Sequence, residues 1–152
     1  YNAQGVGLAA PQIGRGIRIF VIDASPFAEE GSDEYELLTA LKKTFINPII
    51  IEESGEEWGM EEGCLSIPEV RETVFRKEKV VIEYYNENWE LVEETYTGLA
   101  ARVIQHEYDH IEGVLFTEKI KPLRKRLIKG ALGRIERGGI TPGYPMKYPK
   151  AK

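Results

Sequence analysis

The sequence predicts one α+β domain over residues 1–152, in which mixed, mainly antiparallel sheets pack around a central helix and a second helix lies near the C-terminus. Two observations favour this fold class. Runs rich in β-branched and aromatic residues precede Thr97, and a helical period of apolar residues begins there. With 152 residues, 42% of them hydrophobic, the chain can bury a core, and its composition disfavours disordered, collagen-like and coiled-coil proteins.

The chain opens with a glycine-rich segment and a strand. Residues 5–14 (GVGLAAPQIG) predict a tight, buried loop whose backbone can approach a ligand closely. Residues 17–24 (IRIFVIDA) predict a strand. Residues 25–43 then predict an exposed excursion with one short helix. Residues 44–52 predict a strand that Pro48 restricts to a sheet edge or a bulge.

The middle of the chain predicts shorter extended pieces. Residues 63–68 (GCLSIP) form one that ends at a proline. Residues 80–85 and 89–96 predict two strands of a hairpin around the turn residues 86–88.

Two helices are predicted after this hairpin. The first has Thr97 as its N-cap and Gly113 as its stop, with apolar residues and both histidines at helical spacing. The second, residues 123–135, is basic, and we expect it to dock through Leu127, Ile128, Leu132 and Ile135. A tail containing Pro142, Pro145 and Pro149 follows.

The net charge of −5 conceals a division along the chain. Residues 119–152 hold 11 basic residues and one acid, whereas residues 1–118 hold 9 basic and 24 acidic residues. A basic C-terminal helix and tail over 119–152 indicates either an anionic partner such as RNA or a solvated basic helix. One cysteine excludes an internal disulfide and agrees with a reducing compartment, and no apolar run reaches the roughly 18 residues of a membrane span.

The motif HExxH occupies residues 106–110 of the first helix. Residues four apart share a helix face, so His106 and His110 can bind one metal ion, while Glu107 can reach a water on that metal and act as a general base. A catalytic metal site needs a third protein ligand, and the motif does not identify it. The metzincin spacing would place a histidine where Phe116 stands.

Three other residues are candidates for the third ligand. A glutamate ligand of the thermolysin kind would have to be Glu118 or Glu136, and neither is well placed. Cys64 lies in a glycine-bounded turn that lets the backbone approach a metal, although a lone cysteine is more often a buried structural thiol.

Three segments resemble, in order, the signature motifs of peptide deformylases: GVGLAAPQIG at 5–14, EGCLSIP at 62–68 and QHEYDH at 105–110. The resemblance implies an enzyme that removes the formyl group from the N-terminal formyl-methionine of new polypeptides. It implies one divalent metal ion, Fe²⁺ with Zn²⁺, Ni²⁺ or Co²⁺ as alternatives, held by Cys64, His106 and His110. It also implies Glu107 as the acid/base, with the Gln12 amide and the Leu65 backbone N–H donating to the formyl oxygen.

A formyl-methionyl substrate requires further binding residues. Gly5 and Gly7 would present backbone groups to an extended peptide, or serve turn geometry alone. Leu99 and Val103 would line an apolar pocket for methionine, with core packing as the alternative. The full set of expected substrate-binding residues is Gly5, Gly7, Met60, Glu62, Gly63, Arg71, Leu99, Arg102 and Val103, with Arg71 or Arg102 at the pocket mouth and Glu62 as a hydrogen-bonding support.

The resemblance implies about forty residues before the first motif, so we expect this chain to lack an N-terminal helix and strand. Two other functions remain as alternatives: an HExxH zinc endopeptidase, and a non-catalytic, metal-stabilised module that binds RNA or ribosomes. Nascent formyl-methionyl peptides are the expected substrates, ribosomal RNA is a candidate partner of the basic helix, and no membrane partner is expected. The expected location is a bacterial cytoplasm, with an organelle as the alternative.

Overall fold

The computed structural model describes residues 5–148, which form two compact units. The larger unit comprises Val6–Trp58 and Arg76–Val114, and the smaller unit comprises Gly5 with residues 59–75 and 115–148. The expectation about the segment before the first motif, and the end of the predicted tail at Pro149, lie outside the described residues. The single-domain organisation stays a prediction.

The predicted α+β class is confirmed. Five strands form one sheet in the order β1-β2-β3-β4-β5, and the pairs β1/β2, β2/β3 and β4/β5 are antiparallel. The strands are β1 (Gly7–Ala9), β2 (Ile19–Asp23), β3 (Lys42–Cys64), β4 (Ile67–Tyr85) and β5 (Leu91–Thr97). The helices are α1 (Tyr35–Ala40), α2 (Gly98–Ile111) and α3 (Pro122–Glu136), with short 3-10 turns at Ala10–Ile13, Ser25–Phe27 and Phe116–Glu118. Within residues 5–148, each helix is too short or too polar to cross a bilayer.

Helix α2 forms the core of the larger unit with the inward face of the sheet. Its small and β-branched residues let the helix lie close to the strands, and the buried cluster contains Phe20, Ile22, Phe45, Val80, Ile82, Tyr84, Tyr96, Ala100, Ala101, Val103 and Ile104. Thr97 is the N-cap residue as predicted, but its side chain makes no capping bond. Instead the Leu99 N–H donates to the Glu34 carboxylate (3.0 Å), which brings negative charge to the positive end of the helix.

Helix α3 packs in the smaller unit through a narrow stripe. Ile128, Leu132 and Ile135 face a second cluster that includes Val70, Val74 and Phe116. The expectation that Leu127 docks is wrong, since this side chain is 63% exposed. Positions 128, 131, 132 and 135 follow the i, i+3, i+4, i+7 spacing of one helix face, and position 127 falls outside it.

Strands β3 and β4 are much longer than the sequence predicts. Residues 53–62 and 69–79 are also strand, and the predicted extended piece at 63–68 contains the end of β3, a two-residue turn at 65–66 and the start of β4. Strand β3 as a whole lies between β2 and β4, but Pro48 lies just beyond the part of β3 that pairs with β2. The register with β2 ends at Ile46, and Asn47 has a φ of 49°. The loop at 5–14 is only partly buried and contains β1.

A polar cluster joins β3, β4 and β5 in the larger unit. The Lys43 ammonium donates to both carboxylate oxygens of Glu94 (2.6 Å each), and the hydroxyls of Tyr84 (2.6 Å) and Tyr96 also donate to Glu94. Burial raises the pKa of the Glu94 carboxyl, but the hydrogen bonds from Lys43, Tyr84 and Tyr96 outweigh burial and lower it overall. Because the folded protein favours the ionised form, Glu94 stabilises the fold at pH values above the ordinary pKa of a glutamate.

Glu94→Gln should therefore destabilise the protein in a pH-dependent way. At pH 7 we expect the free energy of unfolding to fall by about 1–3 kcal/mol, the range for losing hydrogen bonds to a charged group. The difference from wild type should shrink as pH falls through the lowered pKa, where Glu94 becomes protonated in the folded state too. Urea denaturation of both proteins between pH 3 and pH 8 measures this difference in unfolding free energy. Glu93→Gln, an exposed position on the same strand, is the control. A difference that does not change with pH would contradict the assignment.

Candidate metal centre

Helix α2 brings His106 and His110 together on one face. Their rings lie one turn apart, with centroids 5.1 Å from each other and planes at 77°. The nitrogen atoms that could bind a metal lie within 4.8 Å of each other. Metal–imidazole bonds are about 2 Å long, so one ion can be shared by both rings after small side-chain rotations. His110 is buried and His106 is half-buried.

Two hydrogen bonds fix the rotation of α2 on β4. Gln105 Nε2 donates to the Lys77 carbonyl oxygen (2.9 Å), and one turn later Arg76 Nη1 lies 2.7 Å from Asp109 Oδ2. The Arg76 and Asp109 side chains are 1% and 12% exposed, so this ion pair is desolvated. Each anchor on α2 directly precedes a histidine. We did not predict these anchors from the sequence, although a buried side of α2 that carries Gln and Asp is a signal that could have indicated them.

The Glu107 carboxylate is buried against the backbone of β1. Glu107 is 4% exposed. A Cβ atom placed on Gly7 would lie 2.6 Å from both Cγ and Cδ of Glu107, well inside van der Waals contact. Gly7 therefore leaves the space that the Glu107 side chain fills. This role differs from the predicted presentation of its backbone to a peptide, which stays a prediction.

The Gln12 side chain is oriented by the 3-10 turn that contains it. The Ala9 backbone N–H donates to Gln12 Oε1 (2.7 Å) across this turn. Because Oε1 accepts this bond, Nε2 is the donor end of the amide. The arrangement suits the predicted role of Gln12 as a hydrogen-bond donor.

Other predicted residues of α2 are packed in the larger unit. Val103 belongs to its buried core, and Leu99 packs against that core. Arg102 is buried, donates to the Trp58 carbonyl oxygen (2.7 Å) and lies over the Trp58 ring at 4.2 Å. Contact between these side chains and a substrate stays a prediction.

Cys64 ends β3 in the smaller unit, and its sulfur accepts a hydrogen bond within the turn. The Ser66 N–H lies 3.4 Å from Cys64 Sγ. The Leu65 carbonyl oxygen accepts a bond from the Tyr144 hydroxyl (2.8 Å). Burial raises the pKa of Tyr144, and the negative charge of Cys64 raises it further, so this hydroxyl remains a donor at neutral pH. Sequence reasoning missed Tyr144, which lies in a tail without any motif.

The remaining predicted residues of the smaller unit differ in exposure. Arg71 is 69% exposed, with a guanidinium nitrogen 4.0 Å from the Glu61 carboxylate. Glu62 is buried. Gly63 lies beside the Arg71 side chain, since an added Cβ would sit 3.4 Å from Arg71 Cγ. The remaining members of the predicted set, Gly5 and Met60, are partly buried.

The described residues contain a potential metal site. His106 and His110 in the larger unit and Cys64 in the smaller unit each offer one atom that could be a metal ligand. Two imidazoles with a thiolate are a donor set that suits zinc and iron, so the residues present fit a transition-metal ion.

Comparisons with known proteins identify the family. A family model described as "Polypeptide deformylase" matches residues 1–126. The peptide deformylase of Christiangramia forsetii is 63% identical, with 100% of this chain and 79% of that protein covered, and that of Flavobacterium johnsoniae is 57% identical with the same coverage. The solved structure of the Plasmodium falciparum peptide deformylase in complex with an inhibitor matches with a TM-score of 0.74 and 32% identity, covering 90% of this chain and 77% of that one.

These matches confirm the resemblance carried by the three motifs, and they do not favour the endopeptidase or the non-catalytic binding module. The chain belongs to the polypeptide deformylase family.

Proposed function

We propose that this chain removes the formyl group from the N-terminal formyl-methionine of nascent polypeptides and releases formate. The observation that carries the proposal is helix α2, on which two histidines one turn apart flank a buried glutamate whose place is made by Gly7. An imidazole pair beside a shielded carboxylate suits metal-assisted hydrolysis. Membership of the deformylase family supports a formamide as the bond that is hydrolysed.

Cys64, His106 and His110 would hold one divalent ion. When bound, the ion supplies Lewis acidity for the attacking water and for the carbonyl oxygen. We assign Fe²⁺ as the native metal, with Zn²⁺, Ni²⁺ and Co²⁺ as ions that the same ligands can accept. The Ser66 N–H donates to Cys64 Sγ, the atom that would bind the ion.

The chain's own residues would then move one proton and stabilise one developing charge. Glu107 takes the proton of the attacking water and returns it to the departing amine, so the carboxylate is regenerated in each turnover. Gln12 Nε2 and the Leu65 N–H donate to the oxygen that gains negative charge. The Ala9 bond to Gln12 Oε1 supports this role because it orients the amide before substrate arrives.

The substrate-binding residues complete the proposal. Gly5 and Gly7 would offer backbone groups to the peptide, while Met60, Leu99 and Val103 would contact the methionine side chain. Glu62 and Gly63 would support the turn that carries Cys64. Arg71 is the exposed candidate for the mouth of the site, and Arg102, which is buried against Trp58, would contribute by holding that aromatic ring.

Formate release by the metal-loaded protein tests the reaction and its metal. The Fe²⁺ form, prepared without oxygen, should hydrolyse formyl-Met-Ala-Ser, and the Zn²⁺ form should be slower. Glu107→Gln should lower kcat by roughly 10²–10⁴-fold with metal content unchanged, because proton transfer is lost. Glu112→Gln, an exposed position just beyond α2, is the control and should keep full activity. A folded, metal-loaded wild type that releases no formate would exclude the proposed function, and cleavage of internal peptide bonds would indicate an endopeptidase.

Gly7→Ala tests the space that Gly7 leaves for Glu107. The new methyl group should push the flexible Glu107 carboxylate aside, so kcat should fall by roughly 10²-fold, as a displaced catalytic group typically causes. Thermal stability and metal content should change little. Gly16→Ala is the matched control, because a Cβ there meets nothing within 4 Å. Full activity of Gly7→Ala would refute this packing role.

Association with ribosomes is the proposed role of the basic helix α3 in a bacterial cytoplasm. Two of its basic residues already form ion pairs: Arg124 binds Glu72 through two bonds (2.7 and 2.8 Å), and Arg134 lies 3.0 Å from Glu69. Lys125, Arg126 and Lys129 are exposed and would face phosphates of ribosomal RNA. The bacterial relatives support the cytoplasmic location.

Co-sedimentation with ribosomes at increasing salt measures this association. The double variant Arg126→Ala/Lys129→Ala should bind more weakly and lower the slope of log K against log salt by about 2, one unit for each lost phosphate contact. Arg15→Ala/Lys42→Ala removes two exposed charges from the larger unit and should leave binding unchanged. Salt-insensitive binding, or equal effects of the two double variants, would argue against α3 as the binding element.

A further inference from the structure

The peptide group between Leu65 and Ser66 is held at both of its polar ends. Its carbonyl oxygen, on Leu65, accepts a hydrogen bond from the Tyr144 hydroxyl at 2.8 Å. Its N–H, on Ser66, donates to Cys64 Sγ at 3.4 Å. One rigid peptide plane therefore connects Tyr144 to the sulfur.

The segment that carries Tyr144 packs in the smaller unit through three of its side chains, Ile140, Met146 and Tyr148. Gly138 reverses the chain after α3 with a φ of 73°, and Ile140 is buried in the cluster of that unit. Met146 and Tyr148 pack against the same cluster, and the Tyr148 hydroxyl donates to the Ile140 carbonyl oxygen. The Ile140 side chain before Tyr144 and the Met146 and Tyr148 side chains after it thus hold this part of the backbone by packing.

This segment also lies outside the stretch that the family model matches, which ends at residue 126. The turn that carries Cys64 and Leu65 lies inside that stretch. The bond between Tyr144 and Leu65 therefore joins a residue outside the stretch matched by the family model to one inside it.

We propose that Tyr144 is a positioning residue for Cys64, acting through the Leu65–Ser66 peptide on the direction and electron donation of the sulfur. An amide whose carbonyl accepts a hydrogen bond is polarised and becomes a stronger donor through its own N–H. A stronger N–H bond to a ligand sulfur reduces the charge that the sulfur gives to a metal, and groups outside the ligand set commonly tune metals in this way. The inference rests on the proposed role of Cys64 as a metal ligand.

Tyr144→Phe removes the hydroxyl and keeps the ring. In the Co²⁺-substituted protein, the sulfur-to-cobalt charge-transfer band should shift. In the Fe²⁺ protein, kcat should fall about threefold to tenfold, the effect of one lost hydrogen bond. KM for formyl-Met-Ala-Ser should stay within about twofold, because the lost bond is to the Leu65 carbonyl oxygen and its proposed effect is on the sulfur. Protection of the Ser66 amide from hydrogen exchange should also decrease.

Tyr148→Phe is the matched control, since it removes a tyrosine hydroxyl bond that lies wholly within the C-terminal segment. It should leave the band, kcat and Ser66 exchange unchanged, even if both variants lower the thermal midpoint equally. An unshifted band with wild-type kcat and exchange in Tyr144→Phe would overturn the proposal, as would identical shifts in both variants. Failure of the ligand assignment is distinguishable, because wild type would then show no sulfur-to-cobalt band at all.

Discussion

The arrangement of the larger unit depends on how α2 is fixed against β4. A rotation of α2 about its own axis by a fraction of a turn would redirect His106 and His110. The buried pair of Arg76 and Asp109 opposes this rotation, because breaking it would leave a desolvated charge without its counter-ion. The bond from Gln105 to Lys77 acts one turn earlier on the same side. Together they define the direction in which the histidines point.

The same rotation determines where Glu107 lies. Once α2 is fixed, its carboxylate meets β1 at Gly7, and a side chain at that position would occupy the same space. The glycine-rich segment thus serves the site in two ways. Gly7 leaves room for the Glu107 side chain, and Gln12 supplies an amide that the Ala9 N–H orients. A short strand followed at once by a 3-10 turn allows both within six residues, since β1 ends at Ala9 where the turn begins.

Local patterns made α2 predictable almost to the residue, whereas the first half of β4 escaped prediction for a physical reason. Its inward positions alternate Val70, Glu72, Val74 and Arg76, so the apolar period of two is broken by charges. Each charge is compensated by a residue far along the chain, and no local pattern reveals such pairs. The motif residues of α2 were readable because HExxH is local. Tyr144 was not, since 79 positions separate it from Leu65.

The buried Glu72 also explains part of the charge division along the chain. Its side chain is 4% exposed, and the two bonds from Arg124 compensate for the loss of water around its carboxylate. Arg124 is therefore required by the fold of the smaller unit, whatever binds to α3. Lys125, Arg126 and Lys129 have no such buried partner among the ion pairs of α3 in residues 5–148, and they lie beside the exposed Leu123 and Leu127. A basic helix can thus contain two kinds of basic residue. Those paired with buried acids are needed for the fold, and the exposed ones without such a pairing are available to a partner.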